Sequence, residues 1–351
     1  MKFLTWGANV GGGFLRAKVE QETRYDMAYN IELARLADQI GVHGILYPIR
    51  YVGGIGGHRG ASGQLDPLAV VGAVAAYTSR VKLLAAVLPG FLHPVTLAKI
   101  GSTLDIISNG RFHINLVSGW FREEQEKFGI EWVEHSERYR RSEEYLQVVK
   151  GLWTRDDFTF HGKYYNIRGG SMNPKPVQKP YPAIYQGGNS EPSQRIAAKH
   201  SDVYFMNGAP VEELERQIGT VGGLARRENR TLQYAVAAFV IARETEEEAL
   251  AEYEAIIANA EEEAIARFKA SMDTRGMWKN AKTVSDYVAN NEGFRTGLIG
   301  SYEQVANRLR ELEAVGVDQV LLAFRHPLKE LPIFFERVEP LVNAPKIRAS
   351  S

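Results

Sequence analysis

The sequence predicts an α/β fold, a (β/α)8 TIM barrel with two insertions. Three observations predict it. Short apolar runs alternate with amphipathic helical patterns along most of the 351 residues. Eight of those runs read as strands, and the fourth turns polar at its C-terminal end. The alternation marks βα units around a parallel sheet. Eight units suit a closed barrel better than an open sheet, and such barrels keep their chemistry at the C-terminal ends of the strands. The strands are expected at Phe3–Trp6, Gly44–Tyr47, Leu83–Val87, Phe112–Val117, Ala183–Gln186, Val203–Met206, Ala235–Ala242 and Gln319–Ala323.

The helices carry their own punctuation. Leu36 to Leu46 and Leu312 to Leu321 echo each other, each with a glycine just past the helix, Gly41 and Gly316, suited to a left-handed C-terminal turn before the next strand. The capping box Ser301-Tyr-Glu-Gln304 starts the last barrel helix, with Val305, Leu309 and Leu312 on one face.

Two stretches break the rhythm and are read as insertions, at about residues 154–182 and 245–295, in one domain spanning 1–351. In the first, Asp157 to Arg168 reads as a hairpin with aromatic-rich arms, followed by a proline-rich return to Pro182. The second starts at a capping box, Thr245 and Glu248, and gives way after Arg267 to a polar stretch with Met272, Met277 and Trp278. It is either a lid over the site or a solvated helical excursion.

Composition narrows the function. An apolar share of 44% and a charged share of 24% describe an ordinary globule with ample core. The formal charge is zero and the basic residues are scattered, so a nucleic-acid footprint is not expected. With no cysteine, disulfides, thiolate metal sites and a cysteine nucleophile drop out. None of the eight histidines forms an i, i+4 pair, so no metal is expected. There is no G-x-S-x-G elbow, P-loop or G-x-G-x-x-G fingerprint. The N-terminus lacks a signal-peptide pattern and no run approaches the roughly 20 apolar residues of a membrane span, so a cytoplasmic protein is expected.

The chemistry is sought at strand ends and helix starts. In Tyr185-Gln-Gly-Gly-Asn-Ser190, Gly187 and Gly188 let the backbone approach a phosphate closely, and Ser190 stands where the next helix presents free N–H groups. Arg138 and Tyr139, at the start of a helix, can add charge-assisted contacts. The plain alternative is an N-cap serine and a surface arginine. His326, at the end of the last strand, is the best proton donor by position, or a rim histidine bonded to a carbonyl. Trp6, Phe239 and Phe324 can close a pocket or simply fill the barrel. Gly53 to Gly60 reads as an active-site loop bringing His58 and Arg59 to substrate, or as a surface turn.

Taken together, Asn115-Leu-Val-Ser-Gly-Trp120 with Glu123 and Glu124, Glu134 to Tyr145, and the Tyr185–Ser190 motif resemble the reduced-flavin monooxygenases of the bacterial luciferase-like superfamily. Asn9-Val-Gly-Gly-Gly, Lys18-Val-Glu-Gln-Glu-Thr, Leu88-Pro-Gly, Val117-Ser-Gly-Trp-Phe, Phe239-Val-Ile-Ala-Arg and Phe324-Arg-His look most like its dimethyl-sulfone branch. The resemblance runs over nearly the whole chain. It implies reduced FMN as cofactor, supplied by a separate NAD(P)H-dependent FMN reductase. It implies O2 and a small organosulfur compound as substrates, with C–S cleavage, in a homodimer or homotetramer. By the same resemblance Asn115 and Glu124 lie by the flavin, Ile49 and Arg50 line the pocket, and Arg295 is a pocket cation that handles charge together with His326.

Departures from relatives point to the substrate. The sulfonate-cleaving branch has an Arg and a His on strand seven, where this chain has Ala237 and Phe239, and a pocket cysteine absent here. The pyrimidine-cleaving branch has a Thr where this chain has Ala86. An apolar pocket for a small neutral substrate such as a sulfone follows, because an anion buried without a partner is costly. Two other classes stay open. One is a different redox enzyme on the same barrel, using a deazaflavin (F420) or opening a pyrimidine ring. The other is a flavin-binding protein without turnover.

Overall fold

A computed structural model describes residues 1–53, 63–271, 278 and 280–343. Eight parallel strands close into a barrel: β1 (Lys2–Trp6), β2 (Gly44–Tyr47), β3 (Lys82–Val87), β4 (Phe112–Leu116), β5 (Ile184–Gly187), β6 (Val203–Met206), β7 (Gln233–Phe239) and β8 (Gln319–Ala323). Neighbours in sequence are neighbours in space, and β1 closes the ring against β8 with Lys2 opposite Gln319. The expected strands are all present. Two end earlier than expected: β4 stops at Leu116, and β7 leaves the barrel after Phe239, where Ile241–Arg243 pairs instead with Ile299–Ser301.

The helices include α1 (Met27–Ile40), α2 (Pro67–Ala75), α3 (Pro94–Ile107), α4 (Arg122–Lys127), α5 (His135–Thr154), α6 (Glu191–His200), α7 (Val211–Arg227), α8 (Glu246–Ala258), α9 (Glu262–Ser271), α10 (Val284–Val288), α11 (Tyr302–Ala314) and α12 (Pro327–Arg337). Most of the buried apolar mass lies between the barrel and this helical layer. Gly41 ends α1 with φ +90°, a left-handed turn that a side chain resists. Ser301 and Gln304 cap α11 reciprocally, and Val305, Leu309 and Leu312 are buried beneath it. Thr245 and Glu248 do the same for α8.

Residues 158–161 and 166–170 form the antiparallel hairpin read from the sequence. Leu15, Ala17, Phe239, Ile256, Phe268, Val288 and Phe294 build a second core that joins the β1 loop to α8, α9 and α10. This places α9 beside the mouth of the barrel. Among the described residues no helix is long and apolar enough to cross a membrane.

Candidate active site

The cleft opens at the C-terminal ends of the strands, the usual place for chemistry on a parallel barrel. Inward-facing side chains such as Leu4, Leu84, Ala235 and Leu321 fill the barrel below it, and Leu46 and Phe205 form its floor. Trp6, Ile49 and Ala86 stand above that layer on the cleft wall. Asn115 lines the wall beside Ala86, its register partner across the β3–β4 pair. Its Oδ1 is buried without a hydrogen-bond partner. An amide oxygen so placed is costly to leave unsatisfied, and a ligand in the cleft can complete it.

At one end of the cleft β5 turns into α6. Gly188 has φ +131°, and a Cβ there would lie 2.2 Å from Ser193 Oγ and 3.4 Å from the Tyr139 hydroxyl. Tyr139 therefore reaches across from α5 to this turn, and only glycine leaves the space open. Ser190 is the N-cap residue of α6 but makes no side-chain capping bond, and its hydroxyl is buried without a partner. Free helix N–H groups, an unspent hydroxyl and a Cβ-free turn are chemistry that suits an anionic group. Arg138, next to Tyr139 on α5, lines the cleft, 2% exposed, stacked on Trp132 at 3.9 Å and donating through Nη1 to the Val133 carbonyl at 3.0 Å.

Arg50 approaches from the loop after β2. Its guanidinium lies over Trp120 at 4.6 Å and donates to the Ile49 carbonyl at 3.2 Å. Glu124 sits behind this loop rather than on the cleft. Its Oε1 accepts from the Tyr51 N–H at 2.6 Å and the Val52 N–H at 3.3 Å, so its contact with the site is through the backbone that carries Arg50. Burial lowers the pKa of Arg50, and the nearby Glu124 charge opposes that shift.

Several expected pocket residues stand elsewhere. Ala237 packs inside the barrel with Leu321, below the cleft. Phe239 shares its strand face but is covered by Phe294, ring centroids 5.0 Å apart. Neither lines the cleft, so the missing polar groups at these positions leave its wall unchanged. Phe324 points outward and meets Phe334 of α12 at 6.0 Å, in the layer between barrel and helices. His326 is the N-cap residue of α12, its N–H donating to Glu330 Oε2 at 2.7 Å, and it is Pro327 that reaches the cleft. Arg295 is held by Glu213 at 2.8 Å, Glu292 at 2.9 Å and Asp286 at 3.8 Å, away from the cleft wall. Glu292 and Asp286 are near in sequence, but the arrival of Glu213 from 82 residues away is not readable locally. His58, Arg59, Met272 and Met277 lie outside the described residues.

The Arg295 network carries a prediction of its own. Glu292 is 1% exposed, and burial pushes its carboxyl up to about 7 against the Asn207 hydrogen bond and the Arg295 charge. A carboxyl with a raised folded pKa holds more protons folded than unfolded, so stability falls as pH rises from about 4.5 towards 7 and then levels. Glu292→Gln should flatten that slope. Thermal unfolding of both proteins at about pH 5 and about pH 8 checks it, and equal pH dependence would show that Arg295 keeps the carboxylate ionised throughout.

The site also holds residues the sequence reading passed over. Arg16, after the Gly11–Gly13 run that ends the β1 loop, lines the cleft at 1% exposure. A cation just past a glycine run behind a barrel strand was the available signal. Phe268 of α9 and Trp278 also line the cleft, their rings 4.9 Å apart, so the second insertion forms part of its wall. Among the described residues no group of three or more His, Cys, Asp or Glu is placed to hold a metal ion.

The chain belongs to the luciferase-like monooxygenase family, whose model it matches over residues 1–319. Within that family it is 41% identical over 351 residues to an FMNH2-dependent dimethylsulfone monooxygenase of Pseudomonas putida, covering 98% of this chain and 95% of the relative. It is also 41% identical over 359 residues to the protein of that name from Pseudomonas fluorescens (strain Pf0-1), covering 100% and 97%. A crystal structure of riboflavin lyase shares the fold at a TM-score of 0.80 and 18% identity, covering 97% of this chain and 91% of that one.

Proposed function

We propose that this chain is the oxygenase of a two-component system, a reduced-FMN-dependent monooxygenase that uses O2 to cleave the C–S bond of a small neutral organosulfur compound of the dimethyl-sulfone type. The observation that carries this is the 41% identity, spread over essentially the whole chain, with relatives bearing that name. We also read it as one barrel domain with insertions, cytoplasmic and homo-oligomeric, served by a separate NAD(P)H-dependent FMN reductase.

The residues present fit FMN. The Gly188 turn, the buried Ser190 hydroxyl and the Tyr139 hydroxyl suit its phosphate, with Arg138 beside them on the cleft. Ile49, Ala86 and Asn115 suit the ring. Reduced FMN, when bound, supplies two electrons and the site at which O2 is activated. The chain's part is to orient and to keep water out. Trp6, Trp120, Phe268 and Trp278 form an apolar rim, and a dry site strengthens every polar contact within it. Asn115 offers an oriented amide at the wall. Neither His326 nor Arg295 lines the cleft, so a direct proton-transfer role for either requires rearrangement.

The test is a product screen with photoreduced FMN and O2 on dimethyl sulfone, methanesulfonate and uracil. Formaldehyde from the sulfone, above the uncoupled flavin background, is the expected result. With NADH and FMN alone no product should form, and any FMN reductase should restore it. Release of sulfite from methanesulfonate in place of sulfone cleavage would move the substrate to the sulfonates, a second reading favoured by the cationic side chains on the cleft. Rapid NADH oxidation by the purified chain would sink the two-component reading.

A further inference from the structure

Arg16 and Arg50 stand together on the cleft wall, carried by the loops that follow β1 and β2. In the closed ring β1 lies opposite β5, so these loops spring from the side of the barrel away from the Gly188 turn. Arg16 lies 3.6 Å over the Phe268 ring, Arg50 lies 4.6 Å over the Trp120 ring, and those two rings meet edge-on at 5.9 Å. A touching aromatic pair thus carries one guanidinium on each ring.

The partners of Arg16 are all neutral. Nη1 donates to the Tyr287 carbonyl at 2.6 Å, Nη2 donates to Asn290 Oδ1 at 2.7 Å, and Nε is buried without a partner. Among the described residues no carboxylate pairs with Arg16. Burial and the Arg50 charge both work against its charged form. Glu124 faces the Arg50 loop, yet its Oε1 is taken up by the Tyr51 and Val52 N–H groups. A buried cation and a half-buried one repelling each other are unfavourable unless an anion or a strong acceptor joins them. Aromatic faces offset part of that penalty. Guanidinium groups also match tetrahedral oxyanions with paired N–H donors, which a lone cation does not.

We propose that Arg16 and Arg50 form an oxyanion receptor for the sulfonyl group. It donates N–H bonds to the two sulfonyl oxygens of the neutral substrate and holds the alkanesulfinate released when the C–S bond breaks. This rests on the sulfone reading above. The reaction balances as dimethyl sulfone, O2 and reduced FMN giving methanesulfinate, one proton, formaldehyde, water and oxidised FMN. One oxygen atom of O2 leaves in formaldehyde and the other in water, and reduced FMN supplies two electrons and two protons. The neutral sulfone becomes an anion at the arginines, so the receptor grips product more strongly than substrate.

The experiment uses the full chain loaded with oxidised FMN, where no turnover occurs, and titrates sodium methanesulfinate and dimethyl sulfone by calorimetry. Methanesulfinate should bind at least about tenfold more tightly than the sulfone and compete with it, as expected when an oxyanion meets two cations. Arg50→Gln and Arg16→Gln should each weaken sulfinate binding by about tenfold or more while FMN affinity holds. Arg50→Gln carries the test if Arg16→Gln fails to fold, because Arg50 makes fewer bonds to the protein. Sulfinate binding no tighter than sulfone binding, or unaffected by Arg50→Gln, overturns the receptor. If sulfinate binds at the arginines but dimethyl sulfone yields no formaldehyde, the receptor stands and the substrate reading falls.

Discussion

Gly188→Ala is expected to lower the affinity for FMN by about thirtyfold, which corresponds to roughly 2 kcal/mol of strain and lost contact at the phosphate turn. The effect has three sources in the geometry. The residue sits at φ +131°, where an L side chain is strained, and its Cβ would stand 2.2 Å from Ser193 Oγ. That hydroxyl donates to the Gly187 carbonyl at 3.0 Å, so moving it breaks a bond within the turn. The backbone cannot swing away freely either, because the Gly188 carbonyl accepts from the Tyr204 hydroxyl at 2.7 Å. Anaerobic fluorescence titration with photoreduced FMN measures the loss. Tyr139→Phe is the companion without backbone strain, and it should weaken binding by several-fold through one lost hydroxyl. Unchanged affinity in both variants would place the phosphate elsewhere.

The contrast between what the sequence made legible and what it hid has a physical basis. Strand positions were readable because each is a short apolar run bounded by turn residues, and helix starts were readable because capping chemistry is local. The facing of a strand was harder to read. A barrel strand is buried on both sides, so its apolar run is continuous and its parity is masked. In β8, Leu321 faces the barrel interior while Val320, Leu322 and Phe324 just beyond its end face the helices. Phe324 was therefore placed on the wrong side. Arg295 and Phe239 show the second limit. Their partners, Glu213 for one and Phe294 for the other, lie 82 residues away and across an insertion, and no local pattern announces such contacts. The glycine turn at Gly188 was legible because its requirement, a positive φ just ahead of a helix, is written in consecutive residues. Arg16 was missed because its meaning depends on Phe268 and Asn290 arriving from the second insertion.

Glu124→Ala tests whether that long-range construction matters to chemistry. The carboxylate is 3% exposed and ties down the N–H groups of Tyr51 and Val52, the backbone just after Arg50. Removing it leaves two amide donors short of an acceptor in a partly buried loop, a cost of about 1–3 kcal/mol for each group that stays dry. The loop has an alternative in moving towards water, and Arg50 would move with it. Sulfone turnover is then expected to fall in kcat/KM by about tenfold to a hundredfold, the range in which loosened positioning residues act. Affinity for FMN should change little if its phosphate is held at the Gly188 turn on the far side of the ring. Glu124→Gln separates geometry from charge. It keeps an acceptor oxygen for the two N–H groups but removes the negative charge behind Arg50. If anchoring is what counts, Glu124→Gln should recover most of the activity lost in Glu124→Ala. If the charge counts, both variants should be equally poor, and sulfinate should bind the glutamine variant more tightly because Arg50 has lost its only opposing charge among the described residues. Wild-type turnover in Glu124→Ala would remove the loop after β2 from the catalytic geometry.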